Sequence, residues 1–85
     1  MSLARQRVEE KARAILSVIG QSGYPPVART AELEDAIIYA TGVYRTDRMK
    51  ELIRALRVLG YIEFTDTPGV WRIHYRRAGI ETEGG

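Results

Sequence analysis

Between Thr46 and Gly60 five apolar residues, Met49, Leu52, Ile53, Leu56 and Leu59, recur at i, i+3, i+4, i+7 and i+10, and directly after Gly60 the pattern becomes alternating. A helix turning roughly 100° per residue stacks those five on one stripe, whereas a strand sends successive side chains to opposite faces. The chain must therefore change from helix to strand at Gly60, and the stripe must be buried. Thr46 reads as the N-cap, Asp47 suits the positive end of the helix dipole, and Gly60 suits the left-handed residue that ends the helix. Away from the stripe lie Asp47, Lys50, Glu51 and Arg54, with Arg57 at the edge, so that with Arg48 four cations accompany two anions.

Ahead of this segment Val8, Ala12, Ile15, Leu16 and Ile19 form a second helical stripe, which predicts a first helix from Ser2 to Ile19, closed by Gly20. Leu3, Ala14 and Val18 make a thinner apolar flank on it, the natural seam for a second copy of the chain. Gln21 to Pro26 reads as a turn because Gly23 and the paired prolines cannot continue a helix. Val27 to Arg29 reads as a brief edge strand. Thr30 is the expected cap of a second helix with Glu32, Glu34 and Asp35 in its first turns, Leu33, Ala36, Ile37 and Ala40 facing inward, and Thr41 and Gly42 at its end. Val43 plugs the corner before the third helix.

After Gly60, Tyr61 to Thr65 and Val70 to Tyr75 read as antiparallel strands. Asp66 to Gly69 joins them, with Pro68 and Gly69 suited to the central positions of a type II turn. Trp71, Ile73 and Tyr75 are expected on the packed face and Arg72, His74 and Arg76 on the wet one. The domain is taken as residues 1–77, and residues 78–85, poor in apolar side chains and ending in two glycines, as a flexible tail.

Eighty-five residues make one domain with a modest core. Without cysteine, neither a disulfide nor a cysteine zinc site can reinforce it. No apolar run approaches the roughly 18 residues of a membrane span, and charges occupy the N-terminus where a signal peptide is apolar, so the expectation is a cytoplasmic protein with no membrane partner. The formal charge is +2, but it is unevenly spread. Up to Thr41 five basic and five acidic residues cancel, whereas Gly42 to Arg77 holds eight basic and four acidic. This half attracts polyanions, or carries a solvated surface rich in arginine. Eleven of the thirteen cations are arginine, which suits bidentate contacts to phosphate or guanine and equally the surface habit of a thermophile.

The order helix, short strand, helix, turn, helix, hairpin resembles that of winged helix-turn-helix domains. Leu33 to Gly42 resembles the second helix and corner of that family, Thr46 to Leu59 its recognition helix, Leu59-Gly60-Tyr61-Ile62-Glu63 its lead into the wing, and Thr65 to Trp71 its wing loop. The resemblance covers about Val8 to Arg76 and implies an α+β fold: a three-helix winged helix-turn-helix with a C-terminal β-hairpin wing. Two departures stand out. The corner from Thr41 to Met49 is one residue longer than the common pattern, and the wing tip carries Asp66 but no cation.

Such a resemblance implies sequence-specific binding of double-stranded DNA by a small transcriptional regulator, with helix 46–59 in the major groove. Arg48, Lys50, Glu51 and Arg54 are the expected groove residues, with Arg57 beside them. Tyr44, Arg45 and Thr46 are placed at a backbone phosphate, and Arg72 is the wing's contribution. Arg29, Arg76 and Arg77 are further phosphate candidates. Against this stands a solvated helix face with Glu51–Arg54 pairing worth about 0.2–0.5 kcal/mol. A homodimer is expected, since one helix buries little surface, and the arginine-rich, cysteine-free, minimal build fits an archaeal or viral source. The alternative is a winged-helix protein-interaction module in a transcription or replication assembly, favoured by the acidic wing tip and by Ile38 and Tyr39. His74, the single histidine, reads as a surface residue rather than a metal ligand, and Trp71 as a core anchor rather than a stacking platform. Tyr24, Tyr39 and Tyr44 are interface candidates. Neither a catalytic constellation nor a phosphate loop is visible, so no enzyme activity, cofactor, metal or small-molecule effector is expected.

Overall fold

The computed structural model describes residues 3–82, with side chains from residue 6 onward. Ser2, the side chains of Leu3 and Arg5, and Glu83 lie outside that range. The elements run α1 (Leu3–Gly20), β1 (Val27–Arg29), α2 (Thr30–Thr41), α3 (Thr46–Val58), β2 (Ile62–Phe64), β3 (Val70–Ile73) and a closing 3-10 turn, Tyr75–Ala78. This is a small α+β fold of three helices and a three-stranded antiparallel sheet, compatible in layout with a winged helix. The strand order is β1-β3-β2.

The expected helical stripes meet in one core. Ile15 and Leu16 from α1, Leu33 and Ile37 from α2, Leu56 from α3 and Ile62 from β2 are its fully buried large side chains. The two helices α1 and α2 share the broadest contact, and α3 lies across them with lighter contact to each. Hence Met49 and Leu56 of its stripe are buried, while Leu52, Ile53 and Leu59 are only partly covered. Among the described residues every buried polar side-chain atom has a partner.

Both internal caps differ from expectation. Arg45, extended at φ −71°, is the N-cap of α3, and its carbonyl accepts the Met49 N–H at 2.9 Å, so Thr46 falls inside the first turn. Arg29 likewise precedes α2, because β1 runs straight into that helix, and its N–H donates to Glu32 Oε1 at 3.1 Å. The Thr30 hydroxyl is thereby released to the sheet, where it donates to the Gly69 carbonyl at 3.3 Å. The stops fall where expected. Gly42 takes a left-handed φ of 75° after α2. Gly60, at φ 79°, ends α3 with Gly60 N–H donating to Arg57 O and Tyr61 N–H to Leu56 O at 3.0 and 2.9 Å, a doubly bonded stop that turns the chain into the sheet.

The short strand at Val27–Arg29 exists, and it pairs with β3: Val27 opposite Arg72, Ala28 opposite Trp71, Arg29 opposite Val70. On the other side of β3, Ile62 faces Ile73, Glu63 faces Arg72 and Phe64 faces Trp71. The turn closes as expected, with Val70 N–H donating to Thr67 O at 3.2 Å and Gly69 left-handed at φ 78°.

β3 stops at Ile73, earlier than the alternation suggests. His74 leaves the extended region, and Tyr75–Ala78 coils back under the core. Tyr75 is buried there and its phenol donates to Pro25 O at 2.6 Å. The expected boundary at Arg77 is too early: Ala78 is 2% exposed and Ile80 packs against the core, so the packed body continues past it.

Candidate nucleic-acid interface

Because the core takes only one side of α3, the rest of that helix faces outward. Lys50, Glu51, Arg54, Arg57 and Val58 are all exposed. Lys50, Arg54 and Arg57 follow at i, i+4 and i+7 and share one side. With Ile53 from the same helix and Trp71 from β3 they line an open groove of about 260 Å³. Arg48, two residues before Lys50 and so roughly 200° away around the helix, points to the opposite flank.

Partners divide the expected cations further. Arg45 donates to Asp47 Oδ2 at 3.2 Å, Arg48 Nε lies 3.9 Å from Glu51 Oε2, and Arg72 Nη1 lies 3.5 Å from Glu63 Oε1. Each of these charges is partly answered within the chain. Lys50, Arg54 and Arg57 have no carboxylate within ion-pair distance among the described residues. The centre of the positive surface is thus these three, with Tyr44, Arg45 and Thr46 exposed where the corner leads into α3. Arg72 belongs to the other face of the sheet, away from the groove lined by its neighbour Trp71, because adjacent strand residues point oppositely.

Glu63 gathers two partners, the Arg72 guanidinium and the His74 imidazole, whose Nε2 lies 3.0 Å from its Oε1. His74 is accordingly half-buried and tied to a carboxylate, not a free surface residue. Arg76, expected beside it, sits on the 3-10 turn instead. The Arg77 side chain lies over Gly60, where a Cβ would stand 2.6 Å from Nη1.

Trp71 is only partly buried, at the margin of the core rather than in it, and its indole N–H donates to the Thr30 hydroxyl at 3.0 Å. Phe64, which no motif singled out, is 65% exposed. Its ring lies 4.8 Å from that of Trp71 at 30°, and the Arg57 guanidinium sits 5.0 Å from its centroid. Alternation carries a signal for this: Phe64 shares the Ile62 face of β2, one step beyond the end of the core. Tyr24 is taken up within the molecule, its ring edge-on to Tyr75 at 5.4 Å. Tyr39 and Tyr44 remain 78% and 75% exposed.

No helix in the described residues is long and apolar enough to cross a membrane. Comparison of the chain with known protein families, with curated proteins and with solved structures finds no match.

Proposed function

We propose that this chain is a winged helix-turn-helix protein that binds double-stranded DNA sequence-specifically, as a small homodimeric transcriptional regulator of the cytoplasm. The single observation that carries this reading is the outward side of α3, where Lys50, Arg54 and Arg57 stand without carboxylate partners among the described residues, on a helix held from behind by Met49 and Leu56. The element order and the β1-β3-β2 sheet support the fold assignment. The major groove admits one helix, and an arginine fork matches the O6 and N7 acceptors of guanine. Arg54, central on the free face, takes that role. Lys50 and Arg57 follow the groove wall, and Arg45 with Thr46 and the amides of the first turn of α3 meets a phosphate. Ala14 and Val18, each half-buried on α1, offer the dimer seam.

The test is selection of bound duplex from a random pool, followed by affinity measurements with Arg54→Ala. Loss of preference for the selected site is expected; unchanged affinity and preference would sink the reading. A second reading, a winged-helix module that meets another protein, is favoured by the exposed Ile38, Tyr39 and Tyr44. A gel shift on random duplex at low salt separates the two, since a protein-only module produces no shift.

A further inference from the structure

The aromatic pair beside α3 is not needed for a helix to enter a groove, and its exposure is costly unless something covers it. Phe64 stands at the end of β2 with most of its surface in solvent. It is nevertheless held in place: Trp71 backs it at 4.8 Å, and Trp71 is itself fixed by its N–H bond to Thr30 and by strands on both sides. The position over the Phe64 ring is occupied by the exposed guanidinium of Arg57 at 5.0 Å. Such a solvent-exposed cation–π contact is weaker than the stacking of a nucleobase on an aromatic ring. Next to it Lys50 and Arg54 line the open groove.

We propose that Phe64 and Trp71, together with Lys50, Arg54 and Arg57, form a site for an unpaired nucleotide of single-stranded DNA. The base replaces the guanidinium over Phe64, and Arg57, once displaced, pairs with the phosphate of the same nucleotide while Lys50 and Arg54 take the neighbouring phosphates. A planar hydrophobic surface edged by three cations that have no carboxylate partner among the described residues matches a planar base on an anionic backbone. Duplex offers its phosphates to such a surface but not a free base face, so the aromatic pair favours the unpaired strand. This site shares the α3 cations with the duplex reading but does not depend on the helix entering a groove.

The experiment measures anisotropy of a labelled short oligothymidylate and of a blunt duplex at physiological salt, for the full chain and for Phe64→Leu and Phe64→Tyr. Thymines stack poorly on one another and so leave their faces available to the protein. Phe64→Leu is expected to bind the single strand about tenfold more weakly, with duplex affinity unchanged. Phe64→Tyr, which keeps the ring, is expected to bind as the parent does. Absence of single-strand binding by the parent, parent-like affinity of Phe64→Leu, or an equal loss on the duplex overturns the assignment. Single-strand binding that shows this Phe64 dependence without any duplex binding upholds the site and removes the duplex reading alone.

Discussion

The indole N–H of Trp71 donates to the hydroxyl of Thr30 at 3.0 Å across forty-one residues of chain, and that hydroxyl in turn donates to the carbonyl of Gly69. One side chain at the start of α2 thus orients the tryptophan of β3 and holds the turn that precedes it. Thr30→Val removes the acceptor, leaving a partly buried N–H unpaired, which costs about 1–3 kcal/mol. Urea unfolding should show that loss, and Thr30→Ser should recover most of it.

Gly60 carries two independent constraints. Its φ of 79° is left-handed, and a Cβ there would meet Arg77 Nη1 at 2.6 Å. Gly60→Ala should cost about 1–2 kcal/mol from the backbone alone. Because Arg77 is a flexible side chain, Arg77→Ala in the same protein should return only the clash portion. A double-mutant cycle of thermal unfolding measures the split.

Alkaline pH should act through Tyr75. Burial, and secondarily the Tyr24 phenol beside it, pushes its pKa up to about 12 from the ordinary tyrosine value of 10.0. An unfolded chain releases this proton first, so the contribution is whole below pH about 10 and is lost as pH rises toward about 12, on the order of 2 kcal/mol in all. Stability measured across that window should fall more steeply for the parent than for Tyr75→Phe, which is itself weaker at neutral pH for want of the bond to Pro25.

The packed end of the chain extends past Arg77. Removing residues 78–85 deletes buried Ala78 and the partly buried Ile80, and should lower stability by about 1–3 kcal/mol.

On DNA, Lys50 and Arg54 should separate by role. Lys50→Ala is expected to weaken all duplex sequences alike and to lower the salt slope by about 1, whereas Arg54→Ala should cost about 1–3 kcal/mol at one position of the selected site. Titrations at several salt concentrations distinguish the two.

Periodicity in the sequence made the helices, their stripes and the stops at Gly42 and Gly60 legible, because spacing and left-handed turns are local properties. Val27–Arg29 was readable as a strand, but its partner was not, since pairing with β3 is decided by how α1 and α2 fold the chain back. For the same reason the caps were misplaced: Thr30 looks like a helix cap until the sheet claims its hydroxyl, and Thr46 loses the role to the backbone of Arg45. At the candidate site the cations of α3 were visible from spacing. That Arg72 is answered by Glu63 was not, since that pair depends on the register of the hairpin. Phe64 was missed because alternation assigns it to the buried face without saying where the core ends.

The bond between β1 and β3 joins positions separated by about half the chain. During synthesis from the N-terminus, α1, α2 and α3 can form and begin to associate, but β1 has no neighbour until Val70 to Ile73 has left the ribosome. Pairings that span so much sequence slow the search for the native topology. Assembly should therefore finish in one late step, and a nascent chain halted before β3 should still be open to proteases along the segment from Val27 to Arg29.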